Sequence, residues 1–177
     1  MAAATNLLVA FSLPGAQWYA IQTRYRFERR VTAQLHGKGF QTFLPLLEEL
    51  HNWSDRLQPV YVPLFSGYTF VHFDLSAGLR MDLLRTEGVI GFVTFSGGAT
   101  PIPVKQIDDL KVLLSRKTPC VLHAFLKIGQ RVRIRGGCLD GIEGILEQTG
   151  EKNLVISIAS IQRSVAITVE GYELELI

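Results

Sequence analysis

Cysteine is scarce in this chain, as are several other features that would assign it to a class. Its 177 residues include only Cys120 and Cys138, far too few for a secreted domain held together by disulfides. The net charge is only +2, which gives no indication of a nucleic-acid coat protein. Residues 127–177 hold six basic and seven acidic side chains, so wholesale phosphate binding is not expected there.

Export and membrane signals are missing from the first fifteen residues, MAAATNLLVAFSLPG. Their apolar run is too short to span a bilayer, and the basic start of a signal peptide is absent. We therefore predict that residues 1–15 form a loosely ordered leader in a cytoplasmic protein that has no membrane partner.

Catalytic and metal-binding patterns are also missing. Neither GxxxxGK[ST] nor GxGxxG occurs, so no phosphate-cradling glycine loop is expected. Cys120, His123 and Cys138 give a C-x-x-H pattern with one distant cysteine, which lacks the fourth ligand of a structural zinc site. The other histidines have no spacing that implies a triad or a metal site: His36, His51 and His72. We predict that the protein is not an enzyme and that it uses no metal and no cofactor.

What the chain does have is a strand with two apolar faces, in the stretch VPLFSGYTFVHFD from Val62 to Asp74. Its alternation predicts a β-strand whose side chains point to opposite sides in turn. One side collects Tyr68, Phe70 and His72, and the other collects Thr69, Val71 and Phe73. Both sides carry aromatic rings, so something must cover each of them.

The order of elements around this strand predicts an α+β fold. QWYAIQTR, from Gln17, indicates a strand, and the helix that follows in RFERRVTAQLHGKGF ends at Gly37 and Gly39. A long hairpin with the tip HNWSDRLQP comes next, then a helix in SAGLRMDLLRTEG and a strand in VIGFVTF. A third helix is expected over residues 104–117. This is the ferredoxin-like order, with helices on one face of an antiparallel sheet, and it defines a first domain over residues 16–117.

The rest of the chain has a different character. We expect residues 118–126 to be a linker and residues 127–177 to form a small five-stranded β-barrel, because glycines punctuate a series of short strands there. LVISI and SVAITV are rich in β-branched residues, which favours strands over a helical form of this domain. We therefore predict a constitutive barrel that leaves the first domain's second aromatic face open.

Four segments together resemble a known family. WYAIQTRYRFERRV, PLFSGYTFVHFD and RTEGVIGFVTF resemble the N-terminal (NGN) domain of NusG-type transcription factors, and GQRVRIRGGCLDGIEGIL resembles their SH3-like KOW domain. WSDR at Trp53–Arg56 and IQRSVAI at 161–167 are similar to the specialised RfaH/UpxY-type paralogues, the antiterminators of polysaccharide operons. The sequence departs from the family pattern at Ser66, where FPGY is usual, and at residues 79–82, where RfaH carries a threonine-rich patch.

The resemblance implies a transcription elongation or antitermination factor that suppresses pausing or termination. In the family the NGN domain binds the clamp helices of the largest RNA polymerase subunit through an apolar cavity. Five residues match the cavity aromatics of the family: Phe65, Tyr68, Phe70, Phe92 and Phe95. The alternative is that these rings are ordinary core, as most aromatic clusters are.

A basic cluster surrounds the start of the first predicted helix. Arg26, Arg29 and Arg30 would share one helix face, Arg24 precedes them, and Tyr25 could stack on a flipped base. Guanidinium groups bind phosphate in a bidentate manner, so the cluster is a candidate contact for the non-template or upstream DNA of a transcription complex. The alternative is a solvated helix face.

Arg131, Arg133 and Arg135 form a stripe in the predicted barrel, for which we expect cross-strand ion pairs with the glutamates near residues 170–175. The ribosome and Rho are further candidate partners of the KOW domain, and we expect a monomer. A rival function is that of a KOW-containing RNA- or ribosome-binding protein, which should be more basic than this chain.

Overall fold

The computed structural model describes residues 15–53, 56–75, 78–95, 97–123, 125, 129–147 and 152–177. Within these ranges the chain has a mixed α/β fold with three α-helices and many strands. The predicted leader, apart from Gly15, lies outside the described residues. No helix in the described part of the chain is long and apolar enough to cross a membrane.

The first part of the chain alternates strands and helices. Its elements are β1 (Gln17–Thr23), α1 (Glu28–Gly37), β2 (Gln41–Phe43), β3 (Leu46–Trp53), β4 (Arg56–Pro63), β5 (Tyr68–Phe73), α2 (Arg80–Leu84), β6 (Val89–Phe92), β7 (Thr94–Phe95), β8 (Gly98–Ala99), β9 (Pro101–Ile102) and α3 (Val104–Ser115). The second part is almost entirely strands. Its elements are β10 (Cys120–His123), β11 (Gln130–Arg135), β12 (Glu143–Glu147), β13 (Asn153–Ile158), β14 (Arg163–Thr168) and β15 (Glu173–Leu176).

The first sheet has the strand order β2-β5-β1-β6, with β9 also paired to β1. Its pairings are antiparallel. One face, which we call the α1 face, packs on α1 and α2. Its buried residues form a separate cluster: Tyr19, Ile21, Val31, Leu35, Phe40, Val71, Phe73 and Leu83. The predicted first helix is confirmed as α1, which buries Val31 and Leu35 fully.

The opposite face, which we call the aromatic face, is covered by α3. Trp18 and Phe70 belong to one buried cluster with the inward side chains of this helix: Ile107, Leu110 and Leu113. The prediction that helices lie on one face only is therefore wrong. The apolar stripe of α3 and the aromatic rings of β1 and β5 both need shielding from water, and packing them together shields both.

Strands β3 and β4 form a two-stranded ribbon, as the predicted hairpin requires, with a register from Leu46↔Pro63 to Trp53↔Arg56. Leu50 and Leu57 are about two-thirds exposed on it, at 66 % and 67 %. The base of the ribbon packs on the main core through Leu47.

The second sheet has the order β10-β14-β13-β12-β11-β15 and is antiparallel throughout. Strands β13 and β14 confirm that this segment is not helical. The predicted linker is wrong in one respect, because its residues Cys120–His123 form β10, which pairs with β14. The described part of the sheet therefore has six strands where the sequence predicted five. Val121 in the middle of β10 has the β-branched shape that suits such pairing.

The two parts of the chain are in contact. Ile102 of β9 and Ile161 are both buried in the cluster that also contains the aromatic face. Lys105 of α3 donates a hydrogen bond to the Gly141 carbonyl at 2.7 Å and pairs with Asp109 at 3.0 Å. Burial raises the pKa of the Asp109 carboxyl, while the bond from Lys105 opposes this shift. The two parts, for which residues 118–126 were predicted as a linker, therefore also pack against each other.

Candidate functional site

Three of the five predicted aromatic residues lie together on the aromatic face. The rings of Phe65 and Phe70 meet edge-on with centroids 6.2 Å apart, and Phe43 stacks on Phe70 at 6.1 Å. Phe65 and Phe70 are only 2 % and 0 % exposed, whereas Tyr68 is half-buried at the edge of the same cluster. The expectation of an open face is wrong for Phe65 and Phe70, because other parts of the chain cover them.

The remaining two aromatic residues are not part of this group. Phe92 lies on the α1 face, where its ring is 5.6 Å from that of Phe73 and 6.4 Å from that of Tyr19. Arg80 lies over its ring at 5.6 Å. The backbone of Phe95 belongs to β7, and its side chain lies outside the described structure. The predicted aromatic residues whose side chains the structure describes therefore do not line a single cavity.

At one end of the aromatic face, a lysine of α3 covers the rings of Trp18 and Phe43. Lys111 places its Nζ 5.1 Å from the Trp18 ring centroid and 5.8 Å from that of Phe43, so it makes cation–π contacts with both. His72 packs 5.1 Å from Trp18. Burial, with the Lys111 charge adding to it, lowers the pKa of His72. Sequence analysis did not single out Trp18 or Lys111, because no local pattern indicates which side chain covers a ring.

The other end of the aromatic face lies beyond α3. Gln22 of β1 pairs with Tyr68 on one side and with Gly91 on the other. Gln22 is exposed, and a Cβ at Gly91 would have no heavy atom within 4 Å. Val93 is half-buried against the core nearby. We call Gln22, Tyr68, Gly91 and Val93 the open end of the face. There the Tyr68 ring is half-buried, so this side of the sheet reaches solvent beside Gln22.

The turn that presents Tyr68 is held by a buried carboxylate. Oε1 of Glu28, at the start of α1, accepts a hydrogen bond from the Gly67 N–H at 2.6 Å. The Thr23 N–H donates to the Gly67 carbonyl at 2.8 Å. Gly67 has φ +83°, a left-handed conformation that glycine adopts without strain. Glu28 was not singled out from the sequence, yet it is only 3 % exposed.

The predicted nucleic-acid residues divide into two groups. Arg24, Tyr25 and Arg26 lie in the turn between β1 and α1, and α1 begins only at Glu28. The expectation that Arg26 shares a helix face with Arg29 is therefore wrong, because Arg26 has φ +65° and cannot belong to a right-handed helix. Tyr25 is 70 % exposed, with the Arg26 guanidinium 5.3 Å from its ring centroid. We call these three residues the basic turn.

Arg29 and Arg30 have partners within the protein. Arg29 donates to the Tyr61 carbonyl of the ribbon. Arg30 forms an exposed ion pair with Glu87 at 2.7 Å and lies over the Phe27 ring at 5.6 Å. In contrast, the Arg24 side chain has no ionic or hydrogen-bond partner among the described residues. The structure thus brings together Arg24, Tyr25 and Arg26 and separates them from the two arginines of α1.

The predicted ion pairs of β11 with the acidic segment near residues 170–175 are confirmed for Arg133 and Arg135. Arg133 and Arg135 both reach Glu175 of β15. Arg133 also donates to Glu143 of β12 at 2.6 Å, and this bond raises the pKa of its guanidinium. Arg131 lies 3.6 Å from Glu143. Each of these three guanidinium groups therefore lies within 4 Å of a carboxylate of the same sheet.

The candidate metal residues are not brought together. Cys138 contacts the Tyr172 hydroxyl at 3.5 Å, and His123 pairs with Glu147 at 2.9 Å. Cys120 is half-buried at the start of β10, and burial raises the pKa of its thiol. The described ranges contain no group of three or more ligand-type side chains that could hold a metal ion.

Comparisons with known proteins point to one family. The model of the family described as "NusG: Transcription termination factor nusG" matches residues 16–111. A curated relative, the transcription termination/antitermination protein NusG of Borreliella burgdorferi, is 25 % identical over 183 residues, covering 90 % of this chain and 98 % of the relative. A solved structure of Thermotoga maritima NusG is 19 % identical, with a TM-score of 0.49, covering 89 % of this chain and 96 % of that one. A structure of the MjSpt4:Spt5 complex is 16 % identical, with a TM-score of 0.32, covering 90 % and 97 %.

Proposed function

Since the family model matches more than half of the chain, the chain belongs to the NusG family, and we propose that it acts as a transcription elongation and antitermination factor that binds RNA polymerase. Its relatives are transcription factors and not enzymes. The proposed activity is mechanical: by bridging the clamp of the transcribing polymerase, the protein favours the closed, elongating state over the paused one.

The open end of the aromatic face is our proposed seat for the clamp helices. It offers one half-exposed ring, Tyr68, backed by the buried Phe65, whose carbonyl accepts the Tyr68 N–H at 3.1 Å. The empty space over Gly91 leaves room for an inserted side chain. An aromatic anchor on a rigid support is typical of the few residues that dominate interface energies. In this proposal Phe65 and Phe70 support Tyr68 from the core. Phe92 and Phe95 remain candidate polymerase-binding residues at the periphery of the seat.

The basic turn is our proposed contact for upstream or non-template DNA. Arg24 follows Gln22 by two residues, so the basic turn and the open end both lie at the C-terminal end of β1. One face of the exposed Tyr25 ring is taken by Arg26, and the other is free to stack on an unpaired base. This adjacency of a protein anchor and unpaired guanidinium groups is the observation that carries the proposed function.

The domain organisation belongs to the same proposal. The strand order β2-β5-β1-β6, with crossovers through α1 and α2, supports a ferredoxin-like NGN domain over residues 16–117. The antiparallel sheet of β11–β15 supports an SH3-like KOW domain over residues 127–177, joined by the segment 118–126, which adds β10.

The sequence resemblance is the basis for two further proposals, which concern the partners of the KOW domain and the operon that the protein regulates. We propose that the KOW domain can contact the ribosome or Rho, and that the protein serves a polysaccharide operon. The rival function as an RNA- or ribosome-binding protein gains no support from the β11 arginines, since carboxylates already pair with them.

Substitution at Tyr68 tests the seat. We expect Tyr68→Ala to abolish co-purification of RNA polymerase and readthrough at a terminator, while circular dichroism stays unchanged. Tyr61→Ala is the matched control, because Tyr61 is a half-exposed tyrosine on the ribbon, away from the face. Full polymerase binding by the folded Tyr68→Ala protein would place the seat elsewhere, and recovery of ribosomes without polymerase would favour the rival function.

A further inference from the structure

A groove of about 490 Å³ opens between β3, the C-terminal end of α3 and the start of β10. Its apolar lining comes from three parts of the chain: Leu46 and Leu50 of β3, Leu114 of α3, and Pro119. Cys120 also lines it. The proposed polymerase seat and the basic turn contribute no residue to the groove. A segment that binds in the groove would therefore be distinct from the polymerase and the DNA.

The charged groups at the groove are paired with one another. Glu48 and Lys117 form an ion pair at 2.8 Å, and the bond from Lys117 lowers the pKa of the Glu48 carboxyl. The Tyr61 hydroxyl donates to the same carboxylate at 3.4 Å. Glu49 lies 3.0 Å from the His51 ring. A ligand that carries charge would have to compete with these pairs, whereas an uncharged apolar ligand would not.

An apolar surface extends from the groove along the ribbon. Opposite residues of an antiparallel pair share a face, so Leu50, Leu57 and Tyr61 lie on the same side of the ribbon. These side chains are 48–67 % exposed. Exposed apolar side chains that are contiguous indicate a surface that another chain segment covers.

The described chain starts close to this groove. The His72 ring is hydrogen-bonded to the backbone of Ala16, and Trp18, two residues on, lies under Lys111. Leu114, in the groove lining, follows Lys111 by one turn of α3, which is about 4.5 Å along the helix axis. The fourteen residues that precede Gly15 could span up to about 45–50 Å when extended, so their reach is ample.

These fourteen residues also have the composition that the groove requires. They contain no charged side chain, and their apolar residues are concentrated in one run, NLLVAFSL at positions 6–13. We propose that residues 7–13 bind in the groove between the ribbon, α3 and β10, in place of the loose leader that the sequence predicts. Burying three or four of these side chains is favourable and opposes the entropy cost of ordering the segment.

The two cysteines provide the test, because Cys120 lines the groove and Cys138 is exposed elsewhere. The full chain is compared with two double variants, Leu8→Asp/Phe11→Asp and Ala2→Asp/Ala3→Asp. Both add two negative charges to the same segment, but only the first places them in the apolar run. The rate of maleimide labelling is measured at each cysteine by peptide mass spectrometry, at fixed pH.

We expect the Leu8→Asp/Phe11→Asp variant to label about tenfold faster at Cys120, as when a segment that is bound roughly 90 % of the time is released. Labelling at Cys138 should be equal in all three proteins, and Ala2→Asp/Ala3→Asp should behave as the unaltered chain. Equal rates at Cys120 in all three proteins would overturn the proposal, as would no labelling of Cys120 in any of them. Protection that grows with protein concentration would assign the groove to a second copy of the chain instead.

Discussion

The two ends of the aromatic face share strands β1 and β5 and differ in what lies over them. At the covered end, α3 places Ile107, Leu110 and Lys111 over Trp18 and Phe70. At the open end, two residues further along β5, Tyr68 is half-buried and its neighbour Gln22 is exposed. The strand pairing differs as well, because β1 pairs with β9 at the covered end and with β6 at the open end, where the register shifts after Gln22.

The difference teaches that one side of one strand can serve two purposes. Rings under α3 are fixed in a close-packed core, where their contribution is to stability. A ring that α3 does not cover keeps part of its surface in water, and that surface can be buried against a partner. The prediction of a single aromatic seat did not distinguish the buried rings under α3 from the half-buried ring of Tyr68.

Removing a ring at the covered end should have the largest effect. Phe70→Ala leaves a cavity beside Phe43 and Phe65, and we expect it to lower the free energy of unfolding by about 3–5 kcal/mol. The matched change at the open end, Tyr68→Ala, should cost about 1 kcal/mol or less, because partly exposed sites lose little packing. Urea unfolding of both variants measures the contrast. Equal losses would mean that the two ends are one continuous core.

Neutralising the basic turn should have an intermediate effect, seen only in binding. Arg24→Gln/Arg26→Gln removes two guanidinium groups beside the open end, so the slope of log affinity against log salt for transcription complexes should fall by about 2. The matched control is Arg131→Gln/Arg135→Gln, which removes the same charge from paired positions. A salt slope that changes equally in both variants would assign the effect to net charge and not to the turn.

The smallest effect should come from the lysine that closes the covered end. Lys111→Met removes a positive charge near His72, so the pKa of His72 should rise towards its ordinary value of 6.5 while burial still holds it lower. Loss of the cation–π contacts should cost about 0.5–1 kcal/mol. Two-dimensional NMR of the imidazole ring across a pH series measures the pKa.

The sign of the accompanying pH dependence follows from linkage. A histidine whose pKa is depressed by folding contributes stability that is present above its unfolded pKa and is lost as pH falls through its folded pKa. The unaltered chain should therefore lose more stability than Lys111→Met on acidification below about pH 6.5. An unshifted His72 pKa in the variant would show that the Lys111 charge does not reach the ring.

Local patterns predicted much of the fold because the information lies within a few residues. The alternation in Tyr68–Phe73 predicted β5 and its two faces, and the hairpin signal predicted the ribbon. The third helix was predicted over residues 104–117, and α3 lies within that range with Ile107, Leu110 and Leu113 buried. The ion pairs of β11 followed from alternating arginines and a nearby acidic strand.

What could not be predicted depends on contacts between distant parts of the chain. Nothing local in Val104–Ser115 says which face of the sheet the helix covers. Strand β10 was missed because its partner, β14, comes more than forty residues later. The left-handed Arg26 and the buried Glu28 were missed for a related reason, since both conform to a turn whose other half is Gly67 and Gly88.

The pairing of β11 with β15 has a consequence for how the chain is made. Val132 pairs with Leu176, which follows it by 44 residues, whereas the last strand of the first sheet ends at Ile102. Strand β11 therefore gains its outer partner only when the last residues of this sequence are in place, whereas the strands of the first sheet all lie before residue 103. Until β15 pairs with it, one edge of β11 has unpaired backbone groups, and such edges favour association with other chains.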